Sequence, residues 1–222
     1  MYADARGARM SGLKKGMGAR VCGRGVTATR WLKAWVVAVV FMAVLAMADL
    51  LACGAACVFY PVRFYDEVTA ASSEFGIENT LIFAVINTES HFNARAKSGA
   101  GAMGLMQIMP KTGEYIAGKL GVEFDENDLF DPHTNIRFGT FYLKYLLDKF
   151  GDTDTALACY NAGEGNARAW FDDTNTIDIA QISFSETVHY IDKVNTAQKA
   201  YRARLRFWCK TGTARKYANE GD

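Results

Sequence analysis

Fifteen consecutive apolar residues without a charge, Ala34 to Ala48, lie near the N-terminus of this sequence. The run has no polar face, so it does not match a helix that packs one side against a soluble core. Residues 1–33 carry eight Lys or Arg and one acid, a net charge of +7. A basic stretch, an apolar stretch and a small-x-small site, here Ala46-Met47-Ala48, are together typical of a secretory signal. We therefore expect export, with the basic end left in the cytoplasm.

The fate of this leader has several open interpretations. Continued to Tyr60, the apolar segment exceeds the roughly 20 residues that cross a bilayer, although Asp49 would then lie at a costly depth. Residues 50–53 (LLAC) also resemble a lipoprotein processing box with Cys53 as the lipidated residue. The sequence predicts a basic segment 1–33, a signal peptide or membrane anchor 34–60, a folded domain 64–208 and a polar tail 209–222.

Charge and cysteine usage exclude some functions for the folded part. The whole chain has a net charge of +1, so the residues after 33 carry about −6 (+1 − 7 = −6). A body of this sign is a poor candidate for nucleic-acid binding, which usually needs a basic face, so we predict no nucleic-acid partner. We predict no metal or other cofactor, because no CxxC pair occurs and His91, His133 and His189 lie far apart. A Cys159–Cys209 disulfide and two separate thiols are both compatible with the sequence.

The folded part is predicted to be all-α. Apolar residues at helical spacing, prolines at helix starts and glycines just after helix ends indicate five helices. Alternating strands are absent, and we expect at most one short hairpin, around Gly101 to Ile108. The approximate bounds of the predicted helices are 79–89, 110–120, 132–150, 154–162 and 185–207.

One carboxylate stands out against this pattern. Ile82, Val85, Ile86 and Glu89 occupy positions i, i+3, i+4 and i+7 of one helix, so they share its core-facing side. Burial raises the pKa of a carboxyl group, and a general acid near neutral pH needs such a shift. The alternative is that Glu89 ends the helix and meets solvent.

Four short blocks follow one another along the folded part, which are ESHFN at 89–93, GLMQIMP at 104–110, ACYNAGEG at 158–165 and ETVHYIDKV at 186–194. In this order they resemble the lytic transglycosylases of the soluble (SLT) type, which share the goose-type lysozyme-like domain. Residues 131–139 (DPHTNIRFG) support the match, and the resemblance covers roughly Val68 to Tyr201.

The resemblance implies a helical, lysozyme-like domain with a cleft and Glu89 as the catalytic acid–base. It also implies a set of substrate-binding residues, which are Ser98, Gln107, Met109, Tyr160, Asn161, Glu186 and Tyr190.

The activity implied by the resemblance is non-hydrolytic cleavage of the bond between N-acetylmuramic acid and N-acetylglucosamine, with closure to a 1,6-anhydro product. A hydrolytic goose-type muramidase and a non-catalytic peptidoglycan-binding module are the alternatives. The expected location is the periplasm or cell envelope, with glycan strands as partner and the leader as a contact with the cytoplasmic membrane. The sequence identifies no protein partner.

Overall fold

The computed structural model describes residues 24–171, 177, 182 and 185–211 of the chain, which divides into two compact units, 1–50 and 51–222. The N-terminal unit contains most of helix α1 (Arg24–Phe59). The stretch Thr29–Leu51 of α1 has a mean hydropathy of 2.4 and is long and apolar enough to cross a membrane. Helix α1 runs through the predicted boundary at residue 33, and the division into four segments stays a prediction. Residues 1–23 of the basic segment and 212–222 of the tail lie outside the described residues.

The second unit is helical, which confirms the predicted fold class. Its described residues form no strand. Isolated bridges pair Met103 with Lys97 and with Ile108, and the second of these lies within the predicted hairpin region. Two short 3₁₀ helices, Glu126–Phe130 and Arg168–Trp170, lie between the α-helices. The α-helices described in this unit after α1 are α2 (Tyr65–Phe75), α3 (Asn79–Ser90), α4 (Pro110–Leu120), α5 (Pro132–Phe150), α6 (Thr153–Ala162), α7 (Glu164–Ala167) and α8 (Ser185–Thr211).

The helix ends follow from local sequence. Pro110 and Pro132 occupy first-turn positions, where the missing N–H costs no hydrogen bond. The Asp131 carboxylate caps α5 by accepting from the N–H of Thr134 at 2.8 Å. Gly151 ends the same helix with φ 68°, a conformation that glycine adopts without steric cost.

Helix α3 forms the centre of the core. Every residue from Thr80 to Asn87 is buried, and α8 packs along this helix with the ring of Tyr201 stacked 5.4 Å from that of Phe83. Burial on all sides explains why residues 81–86 of α3 are all apolar. Because neighbouring elements pack against α3 on all sides, the core fixes the position of its last turn.

Candidate active site

Glu89 lies in the last turn of α3, where the core meets the surface. Its side chain is half-buried, and the Tyr190 hydroxyl from α8 donates to its Oε1 at 2.7 Å. Burial raises the pKa of Glu89 to about 7, and the smaller effect of the Tyr190 hydrogen bond lowers it. The carboxyl can therefore hold a proton near neutral pH and release it to a reacting group.

The chain turns sharply just after this carboxylate. His91 and Phe92 both have positive φ, 50° and 63°, which is uncommon for residues other than glycine. Phe92 is buried in the core, and the Ser90 hydroxyl donates to the carbonyl of Leu105 at 2.7 Å. These contacts tie the end of α3 to the loop 96–108.

A buried asparagine of α5 holds the loop 96–108 in place. Asn135 of α5 is 1% exposed; its Oδ1 accepts from the N–H of Met106 at 2.7 Å. Its Nδ2 donates to the carbonyls of Met103 and Leu129 at 2.9 and 2.8 Å. Gly104 has φ 79°, and a Cβ there would lie 2.1 Å from the Leu129 carbonyl oxygen, so only glycine fits. The loop is therefore rigidly seated on α5.

Three predicted binding residues belong to this loop. The Gln107 amide donates to the carbonyls of Gly104 and Ala96, at 2.8 and 3.3 Å. Ser98 is exposed, and its hydroxyl oxygen accepts from the N–H of Ala102 at 3.0 Å, which closes a turn. Met109 is 41% exposed at the start of α4. No hydrogen bond among the described residues joins these side chains directly to Glu89.

The other predicted residues come from α6 and α8. The Tyr160 hydroxyl donates to the Met106 carbonyl at 2.9 Å, and burial together with the nearby Glu89 charge raises the pKa of Tyr160 well above its ordinary value. Asn161 accepts from the hydroxyl of Thr187 at 2.9 Å. Glu186, next to Thr187, is exposed in the first turn of α8.

The structure thus brings Glu89, Tyr160 and Tyr190 together from three helices. Sequence reasoning assigned no role to Ser90 or Asn135, the residues that hold the loop. Both lie within matched blocks, but the hydrogen bonds from Ser90 to Leu105 and from Met106 to Asn135 span 15 and 29 residues, and no local pattern marks such contacts.

A model of the family described as transglycosylase SLT domain matches residues 66–183, just over half of the 222 residues. The chain belongs to this SLT family. The resemblance noted in the sequence is thereby confirmed, while the roles of the individual site residues stay predictions.

Relatives of this SLT-family chain include the soluble lytic murein transglycosylase of Escherichia coli, 34% identical over 151 residues, which cover 64% of this chain and 23% of that protein. The membrane-bound lytic murein transglycosylase C of Serratia proteamaculans is 33% identical over 170 residues, covering 64% of this chain and 47% of the relative. The chain therefore spans about a quarter of the first relative and about half of the second.

Solved structures show the same fold. The 70 kDa soluble lytic transglycosylase from Escherichia coli has a TM-score of 0.61 and 34% identity, over 66% of this chain and 25% of that one. The lytic transglycosylase Slt from Pseudomonas aeruginosa, solved as an inactive mutant with glutamate replaced by glutamine, has a TM-score of 0.62 and 33% identity, over 66% and 25% of the two chains. The lysozyme-like fold expected from the sequence is confirmed.

Proposed function

We propose that this protein is a peptidoglycan lytic transglycosylase that cleaves the β-1,4 bond between N-acetylmuramic acid and N-acetylglucosamine. The half-buried carboxyl of Glu89, with its pKa raised to about 7, carries most of this inference. Membership of the SLT family and relatives named lytic murein transglycosylases supply the substrate and the reaction type. The inactive glutamate-to-glutamine mutant of the Pseudomonas protein is consistent with an essential glutamate.

In the first step, protonated Glu89 donates its proton to the glycosidic oxygen as the C1–O bond breaks. Positive charge that develops at C1 of N-acetylmuramic acid is stabilised by the acetamido oxygen of the same sugar, as in substrate-assisted glycosidases. Tyr190 keeps the carboxyl oriented through its hydrogen bond to Oε1. The N-acetylglucosamine side leaves as an alcohol.

In the second step, the ionised Glu89 takes the proton of the muramoyl 6-hydroxyl, and the resulting oxygen bonds to C1. The product ends in 1,6-anhydro-N-acetylmuramic acid, no water is consumed, and Glu89 is protonated again by the proton of the 6-hydroxyl. A pKa near 7 suits a group that acts first as acid and then as base.

A single carboxylate is sufficient for this scheme. Glycosidases that use two carboxylates hold them roughly 5 to 9.5 Å apart, and a second ionised carboxylate that close raises the pKa of the first. Among the described side chains, the pKa of Glu89 responds to burial and to Tyr190, with no contribution from another acid.

The remaining predicted residues are proposed to line the glycan cleft. Tyr160 lies near enough to Glu89 for the charge of Glu89 to raise the pKa of Tyr160. Met109 offers an exposed apolar side chain to a sugar ring. The other proposed contacts with the substrate are Ser98, Gln107, Asn161 and Glu186.

We further propose that the protein is exported to the periplasm or cell envelope. The apolar stretch Thr29–Leu51 of α1 would serve as signal or membrane anchor. The relative from Serratia is itself named a membrane-bound enzyme.

Mass spectrometry of the muropeptides that the full chain releases from purified peptidoglycan tests the activity. We expect products lighter by one water than their hydrolysed counterparts, and none from Glu89→Gln. Glu114→Gln is the matched control, because Glu114 is an exposed glutamate on α4, and it should cleave like the wild type.

Products with an ordinary reducing end would instead identify a hydrolytic muramidase. Retained peptidoglycan binding without any product from the wild type would identify a binding module.

A further inference from the structure

The charges after the basic N-terminal segment are unevenly distributed. Residues 34–192 contain 9 Lys or Arg and 21 Asp or Glu, a net charge of −12 (9 − 21). Residues 193–222 contain 8 Lys or Arg and 2 acids, a net charge of +6 (8 − 2). Five of these eight basic residues belong to the second half of α8. An otherwise acidic domain therefore has one basic helix end.

This end of α8 lies beside the residues that follow helix α1. The guanidinium of Arg204 donates to the carbonyl of Tyr60 at 2.7 Å. The Tyr201 hydroxyl donates to the carbonyl of Pro61 at 2.9 Å. The chain that leaves α1 is therefore fixed against the second half of α8.

The exposed apolar surface of α1 continues almost to this contact. Val58 and Phe59, the last two residues of the helix, are 76% and 68% exposed. The part of α1 from Thr29 to Phe59 extends about 45 Å at about 1.5 Å per residue. This length matches the roughly 40–45 Å of a bilayer with both headgroup regions. If α1 crosses a membrane, its last residues reach the level of the outer headgroups.

Further basic side chains lie within two turns of Arg204 on α8. Lys199, Arg202 and Arg206 occupy positions i, i+3 and i+7, so they share one face of the helix, and all three are exposed. Arg202 is ion-paired with Glu78, whereas Arg206 forms no ion pair with the residues that the structure describes. The hydrogen bond from Arg202 and the charges of both arginines hold the pKa of Glu78 below its usual range. One carboxylate against three cations leaves this face positive.

We propose that this basic face of α8, formed by Lys199, Arg202 and Arg206, binds the anionic phospholipid headgroups of the membrane that α1 enters. The inference rests on the proposed function, since it assumes that α1 is a membrane anchor. Guanidinium groups bind phosphate through paired hydrogen bonds, and each Lys or Arg near an anionic surface strengthens the attraction about fivefold. The folded domain would then contact the bilayer through α8 as well as through α1.

The position of the basic face in the chain is compatible with export. Basic residues that flank a membrane span in the sequence favour the cytoplasmic side. Arg204 lies 144 residues after Tyr60, so the charges of α8 are too distant in the chain to affect the orientation of α1. Folding then brings them to the end of α1 after the domain has been exported.

Chemical footprinting of the full chain in lipid vesicles tests this contact. The chain is reconstituted in vesicles of phosphatidylcholine, alone or mixed with phosphatidylglycerol, and treated with phenylglyoxal, which modifies arginine. Mass spectrometry then measures the reaction at each arginine. We expect Arg206 to react about fivefold or more slowly in the anionic vesicles, with this protection weakening as salt rises. Arg95, exposed in the loop after α3, should react equally in both.

Two matched variants test whether the charge of the face causes the protection. Arg202 reports on the face, because it lies one turn from Arg206. In anionic vesicles Arg206→Gln should raise the reactivity of Arg202 about fivefold, whereas Arg95→Gln should leave it unchanged. Equal reactivity of Arg206 in the two kinds of vesicle, or equal effects of the two variants on Arg202, would overturn the proposal.

Extraction of the vesicles with salt separates the two levels of inference. If the chain resists extraction but anionic lipid does not protect Arg206, the anchor stands and the lipid-binding face fails. If anionic lipid protects Arg206 but salt releases the chain, the lipid-binding face stands and the anchor fails.

Discussion

Replacing Glu89 by glutamine should stabilise the protein, and increasingly so as the pH rises. A carboxyl whose folded-state pKa is raised binds its proton more tightly in the folded than in the unfolded chain. The stability that this group contributes is fully present below pH of about 4.5 and is lost as the pH rises through about 7. Glutamine resembles the neutral carboxyl in shape but never ionises, so the variant escapes this loss.

The size of the effect follows from the two pKa values, 4.5 unfolded and about 7 folded. The full shift corresponds to about 3 kcal/mol. Linkage places the loss of folding free energy for the wild type at about 1 kcal/mol at pH 5 and about 3 kcal/mol at pH 8. The free energy of unfolding of Glu89→Gln relative to wild type should therefore increase by about 2 kcal/mol between these two pH values.

Urea denaturation followed by circular dichroism at pH 5 and pH 8 measures this difference. Glu114→Gln serves as the control for removing a charge, since Glu114 is exposed on α4, and its effect should stay within about 0.5 kcal/mol at both pH values. A relative stability of Glu89→Gln that is the same at pH 5 and pH 8 would refute the claim that burial raises the pKa of Glu89.

Three further changes test the site. Tyr190→Phe removes the hydrogen bond that lowers the pKa of Glu89, so the alkaline limb of the kcat–pH profile should move to higher pH; a move to lower pH would contradict this role. Asn135→Ala leaves three buried backbone groups without a hydrogen-bond partner and should lower the free energy of unfolding, measured by urea denaturation, by about 3 kcal/mol or more. A loss below about 1 kcal/mol would argue against the role of Asn135 in holding the loop 96–108. Gly104→Ala should lower the free energy of unfolding by about 2–4 kcal/mol. Gly99→Ala should be near neutral, because a Cβ at position 99 meets open space. Equal changes in Tm for the two variants would show that Gly104 is not sterically confined.

Local sequence patterns predicted most of the helices. The bounds of α3, α4, α5 and α6 agree with prediction to within about a residue, because prolines, capping residues and glycines mark them. Helix α2 was not predicted individually. Only Val68 and Ala71 are buried in it, so its apolar periodicity is weak.

The candidate site was less accessible to such reasoning. Helical spacing placed Glu89 on a core-facing side, but its partner Tyr190 lies 101 residues further along the chain. The helical spacing of Tyr142 and Tyr145 predicts an apolar, core-facing stripe of α5, whereas the structure leaves both half-buried at a cavity. Periodicity identifies the side of a helix that avoids water, but it does not distinguish a packed core from the wall of a binding site.

The left-handed residue at position 91 implies a conflict between stability and activity. His91 and Phe92, at φ 50° and 63°, each carry a conformational cost of order 1–3 kcal/mol that the surrounding packing sustains. Glycine in place of Phe92 would lose the packing of a buried aromatic ring, which outweighs the relief of strain. Glycine in place of the exposed His91 would relieve strain and strengthen the fold, but it would also give the end of α3 more freedom to move the carboxyl. Selection for stability alone would therefore favour glycine at position 91, and a side chain with a Cβ is expected to persist there only while the carboxyl must stay in place.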